Sequence, residues 1–251
     1  MLRRRAAALA CAVLSLCVAS CGTLPTAARK ARPAPVRPVT GLAPQGPVAP
    51  PVMGARQVPE VQQLLEGLRR VQAQVPGFSA TIETFDKGAA GQETNTMRVT
   101  FRKPATLKIE MLKAQGQAQG ATIVWTGGDT LRIKPTFLPM AVEKGIHEAQ
   151  TKSKNGWTIK DTEVNAIFRV LLDPAAQIRP LGPQPVGGRP LPVYEVRSAQ
   201  SPRGASHEAI AIDPQTGLPA ARMVFRGQDL IYRATIKSMA VRQVGASEVE
   251  I

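Results

Sequence analysis

The sequence predicts an α+β fold dominated by an antiparallel sheet. Three observations point to it: apolar residues repeat at helical spacing over 59–75, apolar and polar residues then alternate through several short segments, and a second helical segment is followed by another alternating set. Helical spacing gives a helix one apolar stripe, and alternation gives a strand one buried and one solvated face. The order helix, strands, helix, strands is an α+β order.

The first helix is predicted to begin at Pro59 and to end before Pro76-Gly77. Its apolar stripe comprises Val61, Leu64, Leu65, Leu68, Val71 and Val75. The first alternating segments predict strands at 78–83, 97–102, 107–111, 123–125 and 131–133. Thr126-Gly-Gly-Asp129 between the last two is typical of a hairpin turn, so the antiparallel sheet continues through it.

The second half of the domain again has one predicted helix followed by predicted strands. A helix is predicted over 161–172, with Asp161 as its N-cap and Asp173-Pro174 as its end. A proline- and glycine-rich connection at 180–192 then leads to predicted strands at 193–197, 208–212, 222–226 and 230–241. The apolar stretch 135–142 has two interpretations, a mobile lip of a cavity or a strand with prolines at its edge.

Residues 1–20 predict an export signal, with arginines at 3–5 followed by an apolar run that is too short to span a bilayer permanently. Val18-Ala-Ser-Cys21 resembles the lipobox of bacterial lipoproteins, which implies that Cys21 is acylated and becomes the new N-terminus. Cys11 and Cys17 are lost with the signal, so Cys21 has no disulfide partner. Ordinary cleavage after Ser20 is the alternative, but it would leave an exposed thiol.

Residues 21–58 have the composition of a tether. Eight prolines and no acidic residue fall in this segment, which cannot bury a core and is expected to be disordered. It also carries much of the net charge of +14, since 24 basic and 18 acidic residues remain from Glu60 onward. A basic tether beside a lipid anchor is drawn to anionic head groups. Nucleic acid is not an expected partner, because aromatic residues make up only 4% and no recognition motif is present.

Catalytic motifs are absent from the sequence. The two histidines, His147 and His207, belong to no metal-binding or nucleophile pattern, and the chain has no phosphate-binding loop or dinucleotide fingerprint. His207 and Glu208 are adjacent on a predicted strand and therefore point to opposite faces. We expect a protein that is not an enzyme and that uses no metal or cofactor.

Four phrases in a fixed order resemble the LolA/LolB-like superfamily of outer-membrane lipoprotein-sorting proteins. They are Phe78-Ser-Ala-Thr-Ile-Glu83, Phe101-Arg-Lys-Pro-Ala-Thr-Leu107, Ile123-Val-Trp-Thr-Gly-Gly-Asp-Thr-Leu131 and Ile212-Asp-Pro-Gln-Thr-Gly-Leu-Pro219. The resemblance implies an incomplete, strongly curved antiparallel β-barrel with helices covering its open side. It also implies an interior that receives acyl chains of lipoproteins or other lipids.

The inward positions of the predicted strands are the candidate lipid-binding residues. They are Phe78, Ile82, Val99, Phe101, Leu107, Ile109, Ile123, Trp125, Leu131 and Ile133. Alternation alone leaves two possibilities open, a solid core or an apolar cavity. The resemblance adds lid or closure residues, namely Lys103, Ile167, Phe168 and Leu171. Lys103 stands before Pro104 where the carrier of that family typically has arginine, whose planar fork a lysine lacks.

Together these features predict an anchored lipoprotein of the bacterial cell envelope, at the outer membrane and facing the periplasm, as Gly22 after the cysteine suggests. Its expected ligand is a lipid or an acylated lipoprotein, and its expected role is lipid or lipoprotein traffic. The alternative is a non-catalytic scaffold with a solid core and an envelope protein as its partner.

Overall fold

The computed structural model describes residues 58–89, 91–114 and 118–251. The predicted signal at 1–20, Cys21 and the tether up to residue 57 lie outside the described residues. The described part belongs to one unit, Met53–Ile251. No helix in it is both long and apolar enough to cross a membrane.

Eleven strands form a single antiparallel sheet. In chain order they are β1 (Gly77–Gly88), β2 (Gly91–Arg102), β3 (Thr106–Lys113), β4 (Thr122–Trp125), β5 (Thr130–Lys134), β6 (Val142–Gly145), β7 (Gln177–Val186), β8 (Arg189–Arg197), β9 (His207–Ile212), β10 (Pro219–Arg226) and β11 (Asp229–Val241). The sheet runs from β6 through β1 to β11 and on to β7. Strands β6 and β7 are its two edges and do not pair with each other, so the sheet is open. The predicted antiparallel sheet is therefore confirmed.

Within the described residues three α-helices accompany the sheet: α1 (Pro59–Gln74), α2 (Ile159–Thr162) and α3 (Val164–Leu172). Short 3-10 turns lie at Ala149–Thr151 and Ser247–Val249. Helix α1 agrees with the prediction, with Pro59 in its first turn and its end at the residues before Pro76.

The predicted start of the second helix, at Asp161, is wrong. Residues 161–172 do not form one helix, because Glu163 has extended ψ of 168° and separates α2 from α3. Thr158 caps α2 together with Asp161. Glu163 caps α3 by accepting a hydrogen bond from the Asn165 amide at 2.6 Å.

The stretch 180–192 was also predicted wrongly, since it is not a connection but most of the hairpin β7–β8. Strand β7 contains prolines at 180, 183 and 185 and lies at the sheet edge, where a missing backbone donor is tolerated. Prolines 190 and 192 lie in the part of β8 that precedes its pairing with β9, which begins at Val193.

The stretch 135–142 contains no strand before β6 begins at Val142. Its apolar side chains reach outward, since Phe137 is 47% exposed and Met140 is 68% exposed. The interpretation as an edge strand is therefore wrong for residues 135–141.

The buried apolar residues of the described part form four clusters, two of which contact the helices. One joins α1 and α3 to the inner face of β7–β9, and it includes Leu68, Leu171, Ile178, Val196 and Ile210. The other lies on β1–β5. Val75, Val164 and Met239 pack against both clusters, so the two parts of the sheet face the same helices and the sheet bends around them.

Candidate functional site

The ten predicted lipid-binding residues occupy one apolar surface. Six are buried, namely Phe78, Val99, Phe101, Leu107, Trp125 and Leu131. The remaining four, Ile82, Ile109, Ile123 and Ile133, are half-buried and pack against the six. Strand register explains this, because inward residues of neighbouring strands are paired, as Leu107 is with Trp125 and Ile109 with Ile123.

A cavity of about 220 Å³ lies over part of this surface, between β1–β3, β10, β11 and the helices α2 and α3. We call it the inner cavity. Five of the predicted residues line it, namely Phe78, Ile82, Val99, Leu107 and Ile109. The side chains on β4 and β5 do not, so Ile123, Trp125, Leu131 and Ile133 are core residues of the same cluster.

The wall of the inner cavity changes from apolar to polar along the strands. Successive inward pairs of β1 and β2 are Phe78↔Phe101, Ala80↔Val99, Ile82↔Met97, Thr84↔Asn95 and Asp86↔Glu93. On the other side of β1, strand β11 follows the same gradient, with the residues Met239, Ile236, Ala234 and Tyr232 in the lining. The antiparallel register therefore brings polar residues from three strands to one end.

Asp86 is the most deeply buried acid at the polar end, at 4% exposure. Its carboxylate accepts hydrogen bonds from the Lys154 amide at 2.7 Å and from Asn155 Nδ2 at 2.6 Å. In the described part of the chain no basic side chain forms an ion pair with it. Glu93, across the strand pair, meets the Lys154 ammonium at 3.6 Å.

Tyr232 pairs with Asp86 across β1 and β11 and is 7% exposed. Its ring meets Trp157 edge-on at 5.8 Å between centroids, and Trp157 donates its indole N–H to the Arg203 carbonyl at 3.0 Å. Burial raises the pKa of the Tyr232 hydroxyl to about 12, so it stays protonated at neutral pH. No hydrogen bond to this hydroxyl is present among the described residues.

A fully buried ion pair stands at the side of the inner cavity. Arg222, 1% exposed, donates from Nε to Glu208 Oε2 at 2.6 Å and from Nη2 to Glu208 Oε1 at 3.1 Å. Its Nη1 donates to the Asp161 carbonyl of α2 at 2.7 Å. The guanidinium thus ties α2 to β9 and β10. Glu208 is directed inward while His207 stacks on Phe225, which confirms that the two neighbours point to opposite faces.

Glu163, at the break between α2 and α3, also lines the inner cavity. Burial raises the pKa of its carboxyl, while the hydrogen bond from the Asn165 amide and the charge of Arg169 act in the opposite direction. Its Oε1 lies 3.1 Å from Arg169 Nη1. The carboxylate therefore serves as a helix cap with one ion-pair partner.

A second hollow of about 370 Å³, the end groove, lies beside the last turn of α1. Lys103 lines it and donates from Nζ to the carbonyls of Gln72 and Ala73 at 2.7 and 2.8 Å. A cation suits the carbonyl end of a helix. Phe78 and Val164 line both hollows and thus form the partition between them.

The predicted closure residues therefore lie in different places. Lys103 and Phe168 line the end groove, Ile167 lines the inner cavity, and Leu171 is buried between α3 and the sheet. The Lys103 ammonium donates to two backbone carbonyls of α1, although it lacks the planar guanidinium of an arginine. Whether these residues open or close a lid stays a prediction.

Sequence patterns did not identify the polar end of the inner cavity. Thr84 and Asp86 continue the inward alternation of Phe78, Ala80 and Ile82, and this continuation is the signal that was available. The predicted strand ends at residue 83, before these two inward polar positions. Arg222 and Glu208 gave no such signal, because only the pairing of β9 with β10 brings them together.

No family model and no curated protein matches the chain. Several solved structures are similar to it at a distance. MucB in its complex with MucA from Pseudomonas aeruginosa is 14% identical, with a TM-score of 0.40 over 76% of this chain, and the match spans only 61% of that protein. A LolA superfamily protein from Nitrosomonas europaea is 8% identical, with a TM-score of 0.36 over 76% of this chain and 97% of that one.

The lipoprotein LppX from Mycobacterium tuberculosis is a third similar structure, 11% identical, with a TM-score of 0.43 over 74% of this chain and 100% of its own.

Proposed function

We propose that the domain is a non-catalytic binding module for the hydrocarbon chain of a lipid or an acylated lipoprotein. The observation that carries the proposal is the inner cavity, whose deep end is lined by Phe78, Val99 and Leu107 and whose other end is polar. Ligand sites in proteins are mostly apolar with a few placed polar groups, and they measure about 300–1,000 Å³. The end groove falls in this range and the inner cavity lies just below it.

The helices α2 and α3 serve as the cover of the bound chain. Ile159, Val164 and Ile167 face the cavity from these helices, opposite the inward residues of β1–β3. The cover is short and is interrupted at Glu163, so a small displacement of it would widen the cavity. Helix α2 is attached to the sheet by the hydrogen bond from Arg222 to the Asp161 carbonyl and to the β4–β5 turn by the ion pair of Lys160 with Asp129 at 2.7 Å.

The proposed setting is the bacterial cell envelope, with acylated Cys21 as the anchor and residues 22–58 as a tether. Several acyl chains would hold such a protein on a membrane essentially permanently. In this setting the module accepts or hands over acylated cargo at the outer membrane.

Uptake of a fluorescent monoacylglycerol, whose head group is uncharged, tests the proposal. The full chain with Cys21→Ser, which prevents acylation, is delipidated and titrated. Ile109→Asp places a charge in the cavity wall and is expected to weaken uptake by tenfold or more, on the order of the cost of an unpaired charge in an apolar site.

The matched control for this test is Leu112→Asp, on the same strand β3 but 37% exposed and outside both hollows. It is expected to bind like the unsubstituted chain. Equal binding by both variants, or no uptake of any lipid, would contradict the proposal. Crosslinking in cells to one protein partner and to no lipid would then favour the scaffold function.

A further inference from the structure

We infer that the inner cavity selects amphiphiles by their head group, taking an uncharged or cationic head that donates hydrogen bonds and rejecting an anionic one. This inference rests on the proposed function, since it concerns the polar end of the same cavity. It concerns which class of amphiphile binds, whereas the proposed function concerns whether a hydrocarbon chain binds at all.

The orientation of the ligand follows from the polarity of the two ends. Phe78, Val99 and Leu107 form a buried apolar end, whereas at the other end the half-exposed Glu93 and Asn95 lie near the buried Asp86 and Tyr232. A chain therefore enters with its apolar tail first. Its head group comes to rest beside the pair Asp86 and Tyr232.

The charged groups that line the inner cavity are unbalanced in favour of acid. Three carboxylates, Asp86, Glu93 and Glu163, and one guanidinium, Arg222, line the inner cavity. Glu93 has Lys154 as its partner, Glu163 has Arg169, and Arg222 has Glu208. These pairs cancel and leave Asp86 as the charge without an ion pair in the described part of the chain.

Tyr232 supplies an independent indication of a ligand. It is more than nine-tenths buried, it lines the cavity, and its hydroxyl lacks a partner among the described residues. Among the described residues, Ser201 Oγ is the only side-chain polar atom that is both inaccessible to solvent and without a hydrogen-bond partner. The Tyr232 hydroxyl also lacks a partner among them, so it must still be accessible from the cavity. Buried hydroxyls usually find a hydrogen-bond partner. A head-group hydroxyl or amide would provide it.

An anionic head would lie beside Asp86 in a site of low dielectric constant. Repulsion between like charges is strong there and is weakly screened by salt. A hydroxyl or ammonium head would instead donate a hydrogen bond to the Asp86 carboxylate. A hydroxyl head would also accept from or donate to the Tyr232 hydroxyl, and an ammonium head would donate to it. The Arg222 fork does not reverse this preference, because both Glu208 oxygens occupy it.

Three ligands with the same tail and different heads test the inference: decanoate, monodecanoylglycerol and decylamine. Displacement of an uncharged apolar fluorophore from the full chain with Cys21→Ser measures their affinities. Monodecanoylglycerol and decylamine are expected to bind at least about tenfold more tightly than decanoate. Decanoate binding as well as monodecanoylglycerol would overturn the inference and leave the proposed function intact. Failure of all three to bind would overturn both.

Tyr232→Phe removes only the hydroxyl. It is expected to weaken monodecanoylglycerol roughly 3- to 10-fold, which is the value of one hydrogen bond, and to leave the apolar fluorophore unchanged. The control is Tyr194→Phe, since Tyr194 is the other of the two tyrosines in the sequence. Its hydroxyl donates a hydrogen bond to Glu60 Oε1 at 3.3 Å, outside the inner cavity. Unchanged monodecanoylglycerol affinity in Tyr232→Phe, or an equal loss in both variants, would overturn the inference.

Discussion

The two regions of the sheet use their inner faces differently. On β7–β9 the inner face is filled by α1 and α3, with Leu68, Leu171 and Ile178 almost completely buried. On β1–β3 much of the corresponding face meets the short α2 and the first turn of α3, and the inner cavity remains. Both regions have the same alternation of apolar residues. The amount of helix above a strand, rather than the strand itself, decides whether its inner face becomes core or cavity.

The largest expected effect comes from the ion pair at the border of the two regions. Arg222→Met leaves Glu208 buried without its partner and is expected to lower the free energy of unfolding by about 3–5 kcal/mol. Urea denaturation measures this change. Arg222→Met combined with Glu208→Leu should recover most of the loss, and a double variant as unstable as the single one would show that the pair also holds α2 in place.

A pair of leucine truncations sharpens the comparison. Leu68→Ala in the filled region creates a new cavity and is expected to cost about 3–4 kcal/mol of unfolding free energy. Leu107→Ala borders space that is already empty, so its cost is expected to be smaller by about 1 kcal/mol or more. Both side chains are nearly buried, at 1% and 4% exposure. Equal losses in urea denaturation would mean that the inner cavity collapses in solution.

The partition between the two hollows gives a smaller effect. Phe78→Leu keeps an apolar side chain but removes part of the wall shared by the inner cavity and the end groove. It is expected to cost about 1–2 kcal/mol in stability and to shift the preferred ligand toward longer acyl chains. Titration with fatty alcohols of increasing length measures the shift. The matched variant Phe225→Leu, away from both hollows, should leave the preferred length unchanged.

The smallest expected effect is the pH dependence at Glu163. Burial raises the pKa of this carboxyl above its ordinary value of 4.5, so ionisation costs more in the folded than in the unfolded chain. This loss of folding stability is absent at pH values below the ordinary pKa, and it grows as the pH rises through the raised pKa of Glu163. Glu163→Gln should therefore gain stability relative to the unsubstituted chain over that rise, in urea titrations at stepwise pH. A constant difference between the two proteins would contradict this sign.

Local patterns predicted the regular parts of the fold and missed those that depend on partners. Helix α1 and the strand positions follow from apolar periodicity, because burial of one stripe or one face is a local property of the sequence. Strand β7 was missed because its prolines are tolerated only at an edge, and position in the sheet is not readable from composition. The break at Glu163 was missed because the cap forms through backbone geometry within an otherwise helical pattern.

The candidate site was predicted in the same uneven way. Inward alternation identified ten apolar positions that belong to one cluster, but it could not separate the five that line the inner cavity from the other five. That separation depends on how far α2 and α3 extend over the sheet. Asp86 and Tyr232 come together only through the register of β1 with β11, which no local pattern encodes.

The ends of the sheet have a consequence for the behaviour of the protein at high concentration. An open sheet exposes two rows of unsatisfied backbone groups, and such rows recruit strands from other molecules. Here one row is only four residues long, in β6, and the other is interrupted by three prolines, in β7. The shortness of β6 and the prolines of β7 therefore limit the number of backbone groups with which a strand of another molecule could pair.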